Sequence, residues 1–563
     1  MQDAASPPPA LLGIDLGTTN SVCAVWQSGK AVLIPNALGD VLTPSVVSLD
    51  DDGRILLGKA ARSRMTTHPE RSAAAFKRFM GSDKRFQLGD QGFSPEELSA
   101  LILGALKQDA EAFLGVEISE AVISVPAYFS DEQRKRTVFA AELAGLAVTR
   151  LINEPTAAAM AYGLHEQSLH RTLIFDLGGG TFDVTVLEYA LPLIEVHAST
   201  GDNFLGGEDF TSALVQACLD DWKLTTDQLN AKEMASLEDA LEQLKCRLLE
   251  GPQTLHWDHA GQHREWHLDN ELAQRIWAPL LLRLRTPIEQ ALRDARLRPQ
   301  DLDNLVLVGG ATRLSAVQKM VASLFGHLPY RHLDPDTVVA LGAAAQAACK
   351  ARDQAIEELI LTDVCPYTLG ISSLRGEDNS GAFSPIIERN TVIPTSREQR
   401  FYSSHPNQKA IRIAVYQGER PWVEDNTFID AFEVPLSPTE ETQAIDVRFS
   451  YDINGLLEID VTLLENGERH SHSIDHTPNG LDAEARTRSR QRLAGLKIHP
   501  RESLPNRTLA ARLERAWAKC TGHERQQIGE WLDAFNGILS SQQTADINAS
   551  RQQLNQLLDE LHL

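Results

Sequence analysis

Two stretches of this chain set an acid and a glycine-threonine turn between apolar runs: Ile14-Asp15-Leu16-Gly17-Thr18-Thr19-Asn20 and Phe175-Asp176-Leu177-Gly178-Gly179-Gly180-Thr181-Phe182-Asp183. Glycine lets backbone amides approach phosphate oxygens, and threonine adds hydroxyl donors. A carboxylate beside a polyphosphate repels it unless a divalent cation lies between, so Asp15 and Asp176 imply magnesium. A single copy of the pattern is more often an ordinary tight turn. Its repetition turns the reading toward a nucleotide phosphate site.

The turns need rigid supports, and the flanking runs supply them. Residues 11–14 with 22–26, and 172–175 with 184–187, are β-favouring and read as hairpin strands. From 11 to about 356 short β runs alternate with helical stretches at 95–114, 131–146 and 155–164, which predicts an α/β fold built of two related halves facing each other. From about 366 to 475 the pattern changes to strict alternation. Ile411, Ile413 and Val415, then Ile445, Val447, Phe449 and Tyr451, lead to an Asn454-Gly455 turn before Leu457, Ile459, Val461 and Leu463, predicting a β-sandwich-like module. Beyond Pro478 the chain turns helical, with Leu554, Leu557, Leu558 and Leu561 at 3-4 spacing and Pro500 and Pro505 separating a first helix from a small bundle. The expected domains are a flexible tail 1–10, a nucleotide module 11–356, a linker 357–364, a β module 365–478 and a short helical lid 479–563.

The linker contains Glu357-Glu358-Leu359-Ile360-Leu361-Thr362-Asp363. Three aliphatics between acids are costly to leave in water, so the segment either adds to a sheet edge in one state and leaves it in another, or is simply the last strand of one module.

With 563 residues, 42% of them hydrophobic, the chain can bury several cores. No run reaches the roughly 20 apolar residues of a membrane span, and residues 1–10 lack a signal-peptide pattern. A soluble, cytoplasmic protein with no membrane partner is expected. The six cysteines are dispersed, which predicts free thiols. A formal charge of −24 argues against nucleic acid as a partner.

Taken together, Asp15 to Asn20, Glu154-Pro155-Thr156-Ala157-Ala158, 176–183, Leu205-Gly206-Gly207-Glu208-Asp209 and Val308-Gly309-Gly310-Ala311-Thr312-Arg313 resemble the actin-like ATPase domain of the DnaK-type 70-kDa heat-shock chaperones. The likeness runs through the linker and 390–395 into the β module. The short helical end and Leu361-Thr362-Asp363-Val364-Cys365-Pro366-Tyr367 resemble the bacterial HscC branch.

The resemblance implies an ATPase-coupled chaperone using ATP/ADP, Mg2+ and K+, a monomer that binds unfolded or extended client peptides and a J-domain cochaperone. Asp15, Glu154 and Asp176 would arrange magnesium and its waters. Gly17, Thr18, Thr19, Asn20, Gly178, Gly179, Gly180, Gly206, Gly207 and Glu208 would bind nucleotide at the phosphate side. Lys77 would sit at the γ-phosphate and attacking water, where concentrated charge in a dry cleft stabilises the transition state. Thr181 and Asp183 would hold that water. Glu242 and Lys245 match an adenosine clamp, with Gly309, Gly310, Arg313 and Asp336 opposite. Coupling would run through Pro126, Arg134, Arg150 and Asn153 to Leu359, Ile360, Leu361 and Asp363. Peptide binding maps to Ile371, Ser373, Leu374, Phe401, Tyr402, Ser403, Ser404, Ile411, Ile413 and Leu456, although each aliphatic among these is by default sandwich core.

The sequence departs from the family at several positions. Leu249 replaces a serine and Ala311 a polar residue, which predicts weakened base contacts. Thr362 replaces a third leucine, weakening linker docking. Ile411 for valine, with Leu374 and Ser404 altering the arch, predicts a narrower client range. The regions 80–98 and 253–271 are compact, putting dependence on a nucleotide-exchange factor in question, and no acidic terminal motif is present for tail-binding adaptors. His256, His259, His263 and His267, and His470, His472 and His476, are read as polar strand edges rather than a metal site. Two rival readings are a small-molecule kinase on the same fold and an ATP-dependent filament protein.

Overall fold

The computed structural model describes residues 11–163, 170–190, 193–326, 329, 333–351, 360–374, 381–473, 489, 491–493, 496, 504–541 and 544–561. The expected tail 1–10, Leu359, His476 and Pro500 lie outside them.

Both glycine-threonine segments are hairpin turns, and the sheets around them are built alike. Strand Leu12–Asp15 runs parallel to Glu120–Val125 and antiparallel to Asn20–Gln27. Strand His170–Leu177 likewise runs parallel to Asn304–Val308 and antiparallel to Phe182–Ala190. Asp15 thus ends its strand and Asp176 precedes the last residue of its own, both strands being clamped on both sides. Between the sheets lie two alanine-rich helices, Glu154–Gly163 and Val338–Lys350, buried almost throughout. Small residues permit this closeness: a Cβ on Gly342 would overlap the Ala157 carbonyl, and one on Gly13 would meet the Ala344 backbone.

Local signals set the helix starts. Ser94 accepts from the Glu97 amide while Glu97 answers at the Ser94 amide, and Pro95 follows, so the helix Pro95–Leu114 starts where sequence places it. Ser130 and Gln133 do the same for Asp131–Leu143.

Strand Ile360–Val364 adds in parallel to Leu193–Glu195 at the edge of the second sheet, and its far end pairs with Val392–Ile393. The linker is thus a paired strand that leads into the next module, the arrangement both readings of the segment share. That module is a pair of four-stranded sheets. One holds Gly381–Ile387, Leu369–Leu374, Ala410–Gln417 and Thr427–Pro435; the other holds Thr395–Tyr402, Ala444–Tyr451, Leu457–Leu463 and Arg469–Ser473. The alternating residues singled out above fill its core. Three helices, Leu504–Lys519, Gly522–Ser541 and Thr544–Glu560, form a bundle around Leu509, Leu513, Phe535 and Leu558. Pro505 stands at the start of the bundle's first helix, Leu504–Lys519. It occupies a first turn, where a missing N–H is harmless. Leu554 and Leu558 are buried and Leu561 is exposed. None of the six cysteines is joined in a disulfide, and no helix among the described residues is long and apolar enough to cross a membrane.

Candidate functional site

Between the two sheets opens a cleft of about 1380 Å³, lined by Asp15, Gly17, Thr18, Thr19, Asn20, Lys77, Glu154, Asp176, Gly178, Gly179 and Thr181, and on the opposite wall by Gly207, Glu208, Glu242, Lys245, Gly309, Gly310, Arg313 and Asp336. Three sequence candidates support the cleft without lining it. Gly180 lies against Thr18 and Arg78, and Gly206 packs on the Gly179 backbone so closely that a Cβ would collide. The lining residue Gly309, by contrast, has φ +82°, the left-handed region glycine tolerates, and rests on the Leu177 carbonyl. The third, Asp183, is buried beneath the turn, accepting from the Ala127 amide at 3.0 Å and the Tyr128 amide at 3.3 Å.

At the floor, buried Lys77 pairs with Glu154 at 2.6 Å and lies 5.6 Å from the Phe129 ring centre. One ammonium serves a crowd of carboxylates. Burial, then repulsion from Glu154, pushes Asp15 up to about 7 despite Lys77 and the Ser124 hydroxyl. Burial and Glu154 push Asp183 to about 7 against its two amide donors, and Asp176 is raised well above the usual range by burial, Glu154 and Asp183. An all-oxygen donor set short of positive charge is what a hard divalent cation suits, so the residues fit magnesium.

On the opposite wall Glu242 and Lys245 pair at 2.6 Å, one helical turn apart. Lys245 also donates to the Gly207 carbonyl and the Thr211 hydroxyl, both at 2.8 Å, so it braces the glycine turn as well as the clamp. Burial pushes Glu242 up, but Lys245 outweighs it and holds the carboxyl low. Arg313 donates to Asp334 and Asp336 at 2.8 Å each. Leu249, 57% exposed, and Ala311 both line the cleft, so neither offers a polar contact there.

A hydrogen-bonded path leaves the cleft floor. The Ala127 amide donates to Asp183, and its carbonyl accepts from Arg134 at 3.1 Å. Arg134 donates to Asn153 at 2.7 Å, and Asn153 donates to Asp363 of the linker strand at 2.8 Å. Thr156 donates to the same Asp363 oxygen at 3.0 Å. Pro126 begins this turn, accepting from the Phe129 amide. Arg150 borders the same hollow, where burial lowers its pKa and Asp363 opposes the shift. Ile360 is 57% exposed, Leu361 packs partly on the core between the sheets, and Thr362 contacts the Ile194 carbonyl.

The peptide candidates separate into groups. Ile371 and Ile413 are buried sandwich core, with Phe401 and Ile411 packed at its margin. Ser403 is buried and accepts from the Gln443 amide, Ser373 bonds Ser384, and Ser404 bonds Gln408. Leu374 and Tyr402 are exposed. Pairing between Leu369–Leu374 and Ala410–Gln417 covers only Leu369, Gly370 and Ile371, so the strands part where Ile411 and Ile413 stand. Leu456 sits in the 452–456 turn and not in the sandwich core. That turn instead faces the nucleotide module: Asn454 accepts from the Leu151 amide, and the Leu457 amide donates to Asp131.

Several contacts carry no signal in the sequence. Arg78 reaches across the cleft to Glu208 at 3.4 Å and Asp209 at 3.1 Å. The Tyr367 hydroxyl and Asn203 both donate to the Tyr128 carbonyl at 2.7 Å. Arg389 makes a two-pronged bond to Asp294, which Asn390 also contacts. Each is a lone residue in its own stretch, marked by no spacing. Of the histidines, His256 pairs with Glu265 and His263 with Asp258 across one exposed hairpin, bringing His256, His263 and Glu265 into one cluster. His472 bonds Asp430.

The sequence model of the family described as "Hsp70 protein" matches residues 11–88 and 83–561. Relatives called "Chaperone protein DnaK" from Thermotoga neapolitana, Thermotoga petrophila and Thermotoga maritima are each 42% identical over 483 residues, covering 82% of this chain and 79% of theirs. These matches do not favour the kinase or filament readings. With its paired phosphate turns, acidic cleft floor, β-sandwich and helical bundle, the chain belongs to the Hsp70 family of ATP-hydrolysing, DnaK-type chaperones.

Proposed function

We propose that this chaperone works as a cytoplasmic, ATP-switched binder of extended apolar peptides, with residues 11–356 as ATPase module, 357–364 as linker, 365–478 as peptide module and 479–563 as lid. Asp15, Glu154 and Asp176 would hold magnesium, Thr18 and Thr19 would meet the phosphates, and Glu242, Lys245 and Arg313 would flank the adenosine. When bound, the metal supplies positive charge between the acids and the phosphates, with potassium as an auxiliary cation. Lys77 presents its ammonium to the γ-phosphate, and Thr181 orients the water. Asp183, tied to the Ala127 and Tyr128 amides, acts as a positioning residue that fixes the turn from which coupling starts.

The observation that carries this reading is the path from Asp183 through Ala127, Arg134 and Asn153 to Asp363. A buried carboxylate needs partners, and these exist only while the linker strand is docked. Domain docking therefore holds the peptide module with its strands parted near Ile411, and release of the linker lets them close on a client. A J-domain cochaperone stimulates hydrolysis. The segment 361–367 supports placement in the HscC branch, and Ile411, Leu374 and Ser404 support a narrow client range.

Hydrogen exchange at Ile360–Val364 tests this. Amides protected in ATP and exposed in ADP by about 100-fold are expected for a strand that leaves its sheet; equal protection in both would refute it.

A further inference from the structure

The helical bundle does not merely follow the peptide module; it lies over the mouth of the nucleotide cleft. Pro505, Thr508 and Arg512 of helix Leu504–Lys519, with Arg551 and Asn555 of Thr544–Glu560, line that mouth. On one side the first helix packs along Gly58–Arg64, with Arg507 facing Asp52 at 3.4 Å and Glu514 facing Arg64 at 3.9 Å. On the other side Arg515 and Lys519 converge on Asp239 of helix Ala231–Arg247, each at 2.6 Å. These two flanking helices belong to different lobes, since Gly58–Arg64 packs on Val46 and Leu56 whereas Ala231–Arg247 packs into the core of the second sheet. One helix is therefore pinned to both walls of the cleft at its opening.

The Asp239 contact is more than a loose surface pair. The three side chains are 17–20% exposed, so water screens them weakly, and two cations share one carboxylate. Burial pushes Asp239 up, yet Arg515 and Lys519 outweigh it and hold it ionised. The lobes also meet through Arg78 with Glu208 and Asp209, but that bridge lies inside the cleft.

We propose that the helical bundle is a clasp across the cleft mouth, with Asp239 as its catch for Arg515 and Lys519, and that bound nucleotide leaves only after the catch opens. The clasp rests on the reading of the cleft as the nucleotide site. It makes nucleotide exit a property of the chain's own carboxyl-terminal module, and it occupies the face a partner would need to pry the lobes apart.

The test is stopped-flow release of a fluorescent, non-hydrolysable ATP analogue with Mg2+ from the full-length protein. Asp239→Arg, and separately Arg515→Glu with Lys519→Glu, should each speed release about tenfold, as loss of a partly buried charge pair acts on the off-rate. Combining all three reversals should return release to within about threefold of the parent, because the pairs re-form with opposite sign. Raising salt should speed release from the parent and leave Asp239→Arg nearly unchanged. Unchanged release in the single reversals, or no restoration in the combination, would overturn the clasp. A parent chain that fails to bind the analogue would instead overturn the reading of the cleft, and the clasp with it.

Discussion

The two halves of the nucleotide module differ at their sheet edges far more than at their turns. Each half sets an aspartate at or next to the end of a strand, follows it with a glycine-threonine turn, and braces it with one parallel and one antiparallel neighbour. In the first half the hairpin side of the sheet ends at Lys30–Leu33. In the second it continues past Leu193–Asp202 to the linker strand. In the function proposed above, the shared part gathers charge around a polyphosphate and the unshared part senses whether that charge is in place. Asp363 joins the two, because its partners Asn153 and Thr156 come from the first half's strand end and the central helix rather than from the sheet it extends.

Variants can break either side of this comparison. The largest effect is expected in the shared chemistry. Lys77→Ala should lower single-turnover ATP hydrolysis by about 10²–10³, the usual loss for one preorganised electrostatic group, while calorimetry still detects nucleotide binding. Next is the unshared edge. Asp363→Ala strands the Asn153 amide and the Thr156 hydroxyl, and should cut the ATP-induced change in peptide release about tenfold or more while slowing hydrolysis far less than Lys77→Ala.

The acidic floor gives a pH signature. Asp15 and Asp183 sit at about 7 against an ordinary 3.8, so the folded protein binds more protons than the unfolded chain between these values. Their stabilising contribution is full below about pH 4 and is lost as pH rises through about 7. The metal-free and nucleotide-free protein should therefore melt at lower temperature at pH 8 than at pH 6. Magnesium nucleotide should remove that difference and release protons when it binds at pH 7, as calorimetry in buffers of different ionisation heat would reveal. The smallest effect is at the rim, where Leu249→Ser should tighten nucleoside binding a few-fold by adding one hydrogen bond.

What could be read from sequence was whatever is set locally. The turns at Asp15 and Asp176, the helix start at Ser94 and the Asn454-Gly455 hairpin depend on neighbours a few residues away, and each lies where the pattern puts it. Long-range partners have no such signature. Nothing near Tyr367 names Tyr128, nothing in Ile360–Val364 names Leu193–Glu195, and Asp294 is as ordinary an acid as any until Arg389 reaches it. Alternation likewise identified the sandwich but not its use. Ile371 and Ile413 fit core and groove equally well by pattern, and Leu456, grouped with them by resemblance, stands in the turn that meets the nucleotide module. Pro279 and Pro287 lie within the single helix Asn270–Asp294, where tertiary packing of Trp277, Leu284 and Ile288 outweighs the lost hydrogen bonds.

The most direct test of the linker as the sensor is the dissociation rate of a fluorescent apolar heptapeptide from the purified chain, in ADP and after mixing with ATP, Mg2+ and K+. ATP should accelerate release by about 100-fold or more in the parent and leave it unchanged in Leu361→Asp, whose carboxylate cannot join the core between the sheets. Release that still follows ATP in Leu361→Asp would contradict the account.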